Sequence, residues 1–422
     1  MGWAFSPLDE ELALLPGALT PNLLEELVRL GLWMPFERAV QQLARFRGTE
    51  VSRATAERVT EAAGAAYVVW QEAEVARIEH ELPPAPAGAA KQFLSADGAM
   101  VPLVGGEWAE VKTLVIGEVQ PSVLIKGEKV VQTKAHSYFS RLTDAETFQR
   151  QALVEIQRRG LEKAEEVVAV TDGAEWIQKF LDHHCYDAVR ILDFPHASEH
   201  LNAVAQALWG EGSSTAKAWL DVQSHALKHD GPAQVLAEVR KLVAEQPDQP
   251  ELAGHLSYLE KRVQHMQYPT FQAAGWPIGD GAVESGNKLV VEARLKGSGM
   301  HWARPHVNAM LALRNIVCSD RWDEDWPQIV TTLRLQAQQR RSQRHQQRCR
   351  IASPPALPVQ TSSSQTIPVP KPITPKPRPN EQPSQPLTPR QPWRPSPNHP
   401  WRHMPIGRAR RRKAPILLDA KT

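Results

Sequence analysis

Residues 166–172, "EVVAVTD", form a short apolar segment that ends in an acidic residue and is followed at once by glycine. The β-branched side chains predict a buried strand, and the Asp-Gly step predicts either a turn or a carboxylate held at the tip of that strand. The chain repeats this order 75 positions earlier (172 − 97), where residues 91–97 read "KQFLSAD" before another glycine. A third Asp-Gly pair begins at Asp280, shortly before Glu284. The repetition indicates one structural explanation for all three stretches.

The elements around these stretches alternate in an order that predicts a mixed α/β fold. We predict strands at residues 91–97, 107–119, 129–142, 166–172 and 188–194, and helices at residues 144–164 and 175–184. The element order is therefore three strands, a helix, a strand, a helix and a strand. This is the order of an RNase H-like domain, in which helices flank a mixed sheet. Because the first and fourth strands are neighbours in that arrangement, we expect Asp97 and Asp172 to lie side by side.

The C-terminal part of this core is predicted to follow an insertion. Residues 89–200 would form the first part of the core, residues 201–276 an all-α insertion, and residues 277–320 the closing helices. Residues 282–296 suit a helix that holds Glu284 in its first turn, four positions before Lys288. Packed across the sheet, this helix would bring Glu284 to the two aspartates.

Residues 1–88 precede the core as a helical region with the pattern of a helix-turn-helix. A glycine breaks the first helix, and Ser52 can cap a second helix that carries Arg53, Thr55 and Arg58 near its start. In a helix-turn-helix, residues at that position reach base edges in the major groove of DNA. The pattern also fits two amphipathic helices that only pack together, so both interpretations stay open.

Charge is distributed unevenly along the 422 residues, although the formal net charge is only +2. Basic residues concentrate in residues 321–351, a predicted basic helix, and in residues 352–422, a Pro-rich basic tail that we expect to be disordered. This asymmetry favours a polyanionic partner, and a merely solvated helix face is the alternative. Three scattered cysteines and no apolar segment near the ~20 residues of a membrane span predict a soluble protein of a reducing cytoplasm, with no membrane partner.

The convergence of acidic residues predicts a particular chemistry. Carboxylates at one sheet edge repel one another unless a cation neutralises them, and hard oxygen ligands favour Mg²⁺ or Mn²⁺. Two such ions about 4 Å apart can activate an attacking oxygen and stabilise the leaving oxygen at a phosphorus atom. Asp97, Asp172 and Glu284 therefore predict a two-ion site for phosphodiester cleavage or strand transfer.

Several ordered motifs between about residue 30 and residue 320 resemble one family. They read "LSADGAMVPLVGGEWAEVKTLVIGEV", "VTDGAEWIQKFL", "ILDFPHASEHL", "GAVESGNKLV" and "RLKGSGMHWARPHVNAMLALR". Together these motifs resemble bacterial insertion-sequence transposases of the DDE class, in particular the ISKra type. The proline-rich tail after residue 352 departs from the typical ending of that family and puts in question whether the gene is an intact copy.

The resemblance implies a function, a cofactor and partners. It implies an RNase H-like catalytic domain with two Mg²⁺ ions that cleaves element ends and joins their 3′-hydroxyls to target DNA. Asp97, Asp172 and Glu284 match the three acidic positions, and Lys288 and Arg294 match basic positions that would hold donor phosphates. Family members hold two element ends together, which implies a homo-oligomer on DNA, and the location implied is the nucleoid of a bacterial cytoplasm.

Two other functions remain alternatives. A DNA-binding protein derived from a transposase would keep the fold without the reaction. Residues 196–200, "HASEH", also fit the H-x-x-E-H pattern in which two histidines bind Zn²⁺ and a glutamate is the general base of a metallopeptidase. This segment follows a predicted strand directly, and no third zinc ligand is evident nearby, so packing, capping or support of the carboxylates are the competing roles.

Overall fold

A mixed five-stranded sheet forms the centre of the fold. The computed structural model describes residues 19–125 and 127–352, with side chains described as far as residue 347. Its strands are β1 (Lys91–Pro102), β2 (Trp108–Val119), β3 (Val123–Ile125), β4 (Glu128–Val130), β5 (Thr133–Arg141), β6 (Glu166–Thr171) and β7 (Val189–Leu192). The sheet has the order β5-β2-β1-β6-β7, and β3 and β4 form a separate hairpin. The first and fourth predicted strands, β1 and β6, are therefore neighbours, as expected.

The strand directions follow from the connections. Short turns join β1 to β2, and β2 pairs antiparallel with both β1 and β5. Helices connect β5 to β6 and β6 to β7, and β6 pairs parallel with both β1 and β7. Parallel pairing needs a crossover of a dozen or more residues, which the two predicted helices supply.

The first Asp-Gly step is not a turn, in contrast to the second. β1 continues through it, because Asp97 pairs with Thr113 and Gly98 with Lys112 in the ladder to β2. A Cβ atom at Gly98 would overlap the carboxylate of Glu110, so this glycine allows a close approach within the strand. Gly173, by comparison, has φ +77° and ends β6 in a true turn.

Helices cover both faces of the sheet. They are α1 (Pro21–Trp33), α2 (Phe36–Arg47), α3 (Arg53–Glu81), α4 (Ala145–Arg158), α5 (Glu175–His184), α6 (Phe194–Trp209), α7 (Ser214–His229), α8 (Pro232–Ala244), α9 (Pro250–Glu260), α10 (Tyr268–Ala273), α11 (Gly281–Gly286), α12 (Ala293–Leu295), α13 (Arg304–Cys318) and α14 (Trp322–Ala352). A π-helix, Asn287–Glu292, joins α11 to α12, so the predicted helix at 282–296 exists with a wider central turn.

The alternation of side chains along β1 separates two sides of the core. Leu94 and Ala96 face the cluster formed with α4 and α5. Ala99 and Val101, on the opposite side, face α11, the π-helix, α13 and the N-terminal helices. Since successive strand residues point to opposite faces, Asp97 shares the second face, across which the helix bearing Glu284 runs.

The predicted insertion forms its own apolar cluster beside the sheet. Side chains of α6, α7, α8 and α9 pack together with β6 and with the edge strand β7. The helical stretch begins at Phe194, immediately after β7, so it starts earlier than the predicted boundary at residue 201. Pro195 at the second helical position and Asp193 as the capping residue explain this early start.

The N-terminal helices, which lie in the helical region predicted at residues 1–88, share an apolar core with the sheet. Leu27, Leu32 and Tyr67 are buried in the same cluster as residues of β1, α13 and α14. The described residues fall within one compact unit that also contains α14, the predicted basic helix. The 29-residue α3 contributes most to this packing, because it has buried residues along much of its length.

The remaining expectations concern chain ends and membranes. The Pro-rich tail expected at residues 352–422 lies outside the described residues apart from its first position, as do the first 18 residues of the N-terminal region. Within residues 19–125 and 127–352, no helix combines the length and the apolar character that crossing a bilayer would take.

The close approach of α3 to α13 gives a first test of the packing. A Cβ atom at Gly64 would overlap the backbone carbonyl of Ala309, whereas one at the exposed Gly254 of α9 would meet nothing within 4 Å. We expect Gly64→Ala to lower the free energy of unfolding by at least about 1–3 kcal/mol through overpacking. Gly254→Ala should raise it by up to about 1 kcal/mol, because alanine is the better helix former. Urea denaturation measures the free energy of unfolding of both variants. Equal effects of the two exchanges would contradict the close packing of α3 against α13.

Candidate active site

Three aspartates lie in one row across the sheet. In the β1–β6 ladder each partner is 75 positions later in the chain, from Lys91 with Glu166 to Leu94 with Ala169. Continuing this register beyond the end of β6 places Asp172 opposite Asp97. The β6–β7 ladder has an offset of 21, as in Thr171 with Leu192, so the same continuation places Asp193 next to Asp172. In-register residues of parallel strands point to one face, so the three carboxyl groups share a face of the sheet.

Asp97 is half-buried on this face and is held by a neighbouring amide. The Asn287 side chain donates from Nδ2 to Oδ2 of Asp97 at 2.9 Å. Burial raises the pKa of Asp97, and the negative charge of Asp172 raises it further, whereas the N–H of Gly98 and the Asn287 amide act in the opposite direction. The electrostatic influence of Asp172 agrees with the ladder register, so the two predicted acids do lie close together.

The turn that carries Asp172 is fixed by the helical insertion. Oδ1 of Asp172 accepts a hydrogen bond from the N–H of Ala174 at 2.8 Å, and its backbone carbonyl accepts one from the Tyr258 hydroxyl. Arg262 donates to the carbonyl of Gly173 at 2.8 Å. A Cβ atom at Gly173 would overlap the Arg262 side chain, so both φ and space require glycine there. The insertion therefore holds the tip of β6.

Glu284 lies exposed on α11, which packs against β1 and β2. The approach is close because Gly286 has no side chain: a Cβ atom there would lie 2.9 Å from Tyr138 Cε1 and 3.0 Å from Val115 Cγ2. Asn287 follows at once and reaches Asp97 from the same helix. Glu284 and Asn287 are three residues apart, so they lie on neighbouring positions of one helical face.

Two further acids, which the sequence reasoning did not select, belong to the same edge. Asp193 caps α6 by accepting from the N–H of His196 at 2.8 Å, and its other oxygen accepts from the N–H of Asp280 at 2.9 Å. Both carboxyl groups are largely buried. The signal for Asp193 was present, since "ILD" is another apolar strand that ends in aspartate. Asp280 belongs to the third Asp-Gly pair, but the sequence reasoning assigned it no role of its own.

Electrostatics link these acids to the predicted triad. Burial, and after it the carboxylate of Asp193, raises the pKa of Asp280 to about 8. The charges of Asp97 and Glu284 act on Asp280 in the same direction, which places both within electrostatic range of this residue. Burial also raises the pKa of Asp193, against the hydrogen bonds that it accepts. Asp97, Asp172 and Glu284 thus belong to one acidic neighbourhood.

The side chains are not arranged as a finished metal site. Within residues 19–125 and 127–352, no group of three or more His, Cys, Asp or Glu side chains is placed to hold a metal ion. The donor set nevertheless suits a hard divalent cation, because it consists of carboxylate oxygens together with an amide. Asn287 adds an orphaned buried oxygen, since its Oδ1 has no hydrogen-bond partner among the described residues. The residues present therefore fit Mg²⁺ or Mn²⁺.

The two predicted phosphate-binding cations differ in position. Lys288 is exposed beside Glu284 on the π-helix. Arg294 is only 3% exposed, donates to the carbonyl of Gly31 at 2.8 Å, and lies over the rings of Phe36 and Trp302. The expectation that Arg294 holds donor phosphates is wrong for this structure, because its guanidinium joins the N-terminal helices to the core and burial lowers its pKa to about 10.

The predicted DNA-reading residues lie near the start of α3. Ser52 caps this helix by accepting from the N–H of Thr55 at 3.2 Å, as the sequence predicted. Arg53 is exposed, with Glu57 at 4.0 Å, and Thr55 is half-buried against the cap. Arg58 is exposed on a groove of about 610 Å³ that Glu57 and His306 also line. Both arginines are therefore on the surface, next to acidic side chains.

The H-x-x-E-H segment has other partners than a zinc ion. His196 Nδ1 lies 3.3 Å from Glu199, while His200 shares a hydrogen bond of 2.9 Å with His255 of α9. The His200 ring stacks on Tyr258, with centroids 3.9 Å apart. Burial lowers the pKa of His200 to about 4. The contacts join α6 to α9 behind the Asp172 turn, which corresponds to the packing and supporting role that the sequence left open.

Comparison with known proteins adds no further information on identity. No protein-family model matches the chain, and no curated protein matches it significantly. The functional interpretation therefore depends on the residues and on their geometry.

The raised pKa of Asp280 predicts how stability changes with pH. The folded protein keeps this proton up to about pH 8, whereas the unfolded chain loses it near the ordinary value of 3.8. The folded state binds more protons in this interval, so this contribution to stability falls as pH rises from about 4 to 8. Asp280→Asn removes the dependence and keeps a donor toward Asp193. We compare the free energy of unfolding of the variant with that of the wild type at each pH. The difference in favour of the variant should be larger at pH 8 than at pH 5, by at least about 2 kcal/mol.

Urea denaturation in EDTA at the two pH values provides the measurement. The exchange Asp187→Asn, at an exposed position between α5 and β7, controls for the loss of one negative charge. An Asp280→Asn difference that is the same at pH 5 and pH 8 would contradict the burial of this carboxyl among other acids.

Proposed function

We propose that this protein is a DNA transposase that cleaves and joins phosphodiester bonds at the acidic edge described above. The observation that carries the proposal is the register of β1, β6 and β7, whose extension past the ends of β6 and β7 aligns Asp97, Asp172 and Asp193 on the face crossed by the helix of Glu284. The charge of Asp172 acting on Asp97 agrees with this alignment. An acidic residue on each of two adjacent central strands and a third on a crossing helix is the arrangement that the sequence resemblance implies. The arrangement follows from strand pairing and not from the sequence motifs, so it supports the resemblance.

The sheet order supports an RNase H-like core. Counting only the strands of the main sheet in chain order, β5-β2-β1-β6-β7 reads 3-2-1-4-5, with the first three antiparallel and the last two parallel to the first. This is the strand arrangement expected from the predicted element order. The helical insertion after the fifth strand and the return of the chain at α11 also agree with the proposed domain plan.

The five acids of this edge have two proposed roles: some bind the cations, and the others hold the surrounding segments in position. In the proposed site Asp97, Asp172 and Glu284 provide the carboxylates that face a DNA backbone. A pair of Mg²⁺ or Mn²⁺ ions held there would activate the attacking oxygen and stabilise the leaving oxygen. Asp193 and Asp280 lie behind them, and their hydrogen bonds join the start of α6 to the loop before α11. They thereby set the position from which Glu284 approaches the sheet.

Exposed positive charges on several helices suit a nucleic-acid substrate. Lys288 is exposed one turn after Glu284, and exposed glutamine and arginine side chains cover α14 between residues 339 and 347. Arg53 and Arg58 provide a second basic area at the start of α3. Lysine and arginine contacts to phosphates supply most of the non-specific affinity of DNA-binding proteins. Assembly of two or more copies on the element ends is part of the proposal.

A nicking assay tests the catalytic assignment. The substrate is a supercoiled plasmid that carries the DNA flanking both sides of the gene, incubated with Mg²⁺, with Mn²⁺ or with EDTA. We expect cation-dependent nicking that falls by at least about a hundredfold in Asp172→Asn and in Glu284→Gln, because each exchange removes a cation ligand. Asp182→Asn and Glu292→Gln, whose carboxylates pair with Arg190 and Lys296, are matched controls and should keep the wild-type rate.

The outcomes of this assay separate the candidate functions. Nicking that survives in both acidic-site variants would overturn the proposed site. Binding of the flanking DNA without any nicking would favour a regulator that has kept the fold but lost the reaction. Zinc-dependent proteolysis by the wild-type protein, lost in His196→Ala, would favour the peptidase alternative.

The proposed DNA contact of α3 has a separate test. We expect the double variant Arg53→Ala/Arg58→Ala to reduce the slope of log affinity against log salt concentration by about 2, one unit for each lost phosphate contact. Arg77→Ala is the control, because Arg77 is exposed on the same helix but pairs with Glu74 and Glu81. Fluorescence anisotropy with labelled duplex between 50 and 200 mM salt gives the slopes. An equal reduction in the control would assign the effect to net charge and not to this surface.

A further inference from the structure

The amide of Asn287 is only half satisfied. Its side chain is part of a residue that is 6% exposed, and its Nδ2 group donates to Oδ2 of Asp97 at 2.9 Å. Its carbonyl oxygen, Oδ1, is buried and has no hydrogen-bond partner in the part of the chain that the structure describes. The two amide atoms are bonded to one carbon, so the unpaired oxygen lies close to the Asp97 carboxylate.

Two asparagines of α13 do not leave such an atom. Asn308 accepts from the N–H of Leu142 at 2.7 Å and donates to the carbonyl of the same residue at 3.2 Å. Asn315 forms the equivalent pair of bonds with Ser140, at 3.1 and 3.3 Å. Leaving a buried acceptor unpaired costs about 1–3 kcal/mol. The amide oxygens of Gln92 and Gln151 also lack a partner among the described residues, so it is the position of the Asn287 oxygen next to Asp97 that points to a ligand.

The local backbone brings Asn287 to this position. Asn287 is the first residue of the π-helix, a conformation that is rare and often found at functional sites. The preceding Gly286 allows the helix to lie against Val115 and Tyr138 of the sheet. Asn287 is also three residues after Glu284, so the two residues occupy neighbouring positions along the helix. The Asn287 amide therefore reaches the acid on the sheet from the segment that also carries Glu284.

We propose that Asn287 is a positioning residue of the cation site. Its Nδ2 group fixes the orientation of the Asp97 carboxylate, and its Oδ1 atom accepts a hydrogen bond from the hydration shell of the divalent cation that Asp97 binds. Mg²⁺ keeps several water molecules when proteins bind it, and these waters need acceptors. Residues that support metal ligands in this way typically change metal affinity by about 10–100-fold. The inference rests on the proposed function, because it presupposes a cation at Asp97.

Direct binding of Mn²⁺ to the full chain without DNA tests this role independently of catalysis. Electron paramagnetic resonance measures free Mn²⁺ during a titration of wild type, Asn287→Ala and Asn287→Leu. We expect the dissociation constant to rise about tenfold or more in both variants. The melting temperature without metal serves only as a control for folding, because both exchanges also remove the Nδ2 donor to Asp97. A purely structural asparagine would leave the Mn²⁺ affinity of both variants unchanged.

Two controls separate the inference from the proposed function. Asn308→Ala removes a buried asparagine whose two bonds go to the backbone of Leu142, and it should leave the Mn²⁺ affinity unchanged. Asp97→Asn should abolish binding. If the wild type binds Mn²⁺ through Asp97 and both Asn287 variants bind within about twofold of it, the role of Asn287 is overturned and the proposed function stands. If the wild type shows no binding that depends on Asp97, both fail together.

Discussion

The parallel pairing of β1 with β6 is the constraint on which the acidic edge depends. Its offset of 75 residues aligns Asp97 with Asp172, and the offset of 21 between β6 and β7 extends the row to Asp193. A shift of one residue in either ladder would turn one carboxylate to the opposite face of the sheet, toward α4 and α5. The register is protected because both faces of the central strands are buried, with Phe93 and Leu94 packed into different clusters. The apolar residues that stabilise the sheet therefore also determine where the acids lie.

Segments distant in the chain hold this edge in place. The insertion contributes Tyr258 and Arg262, which bind the backbone of Asp172 and Gly173. The N-terminal helices are joined to the closing helices by two buried arginines. Arg294 donates to Gly31, and the fully buried Arg314 donates to the carbonyls of Leu32 and Val290. Each guanidinium thus satisfies carbonyl groups near helix ends, where backbone acceptors lack partners within the helix. The N-terminal helices consequently support the position of the helical segment that carries Glu284 and Asn287.

The edge concentrates negative charge that the fold itself does not neutralise. Burial raises the pKa of Asp97, Asp193 and Asp280, and the mutual repulsion of the carboxylates adds to the effect for Asp97 and Asp280. Asp97 and Asp193 accept from backbone N–H groups, and Asp97 also accepts from the Asn287 amide. Asp280 shares a side-chain hydrogen bond with Asp193, while Arg262 is occupied by carbonyls. Perturbed acids clustered at one place are typical of functional sites. A divalent cation would relieve the same repulsion that makes the unliganded arrangement costly.

Much of the fold followed from local patterns. The periodicity predicted all five strands of the main sheet and the helix at residues 175–184, because alternation and Asp-Gly or Gly-rich turns act over a few residues. The proximity of the first and fourth strands was expected from the order of these elements. The same patterns selected Asp97, Asp172 and Glu284. The tertiary structure alone decided that β1 continues through Asp97, that Arg294 is buried, and that the N-terminal helices share the core. It also revealed Asp193, Asp280 and Asn287, since strand register and the close approach at Gly286 depend on contacts between residues far apart in the chain. A sequence specifies which residues are acidic or apolar, but the packing of distant elements determines which of them meet.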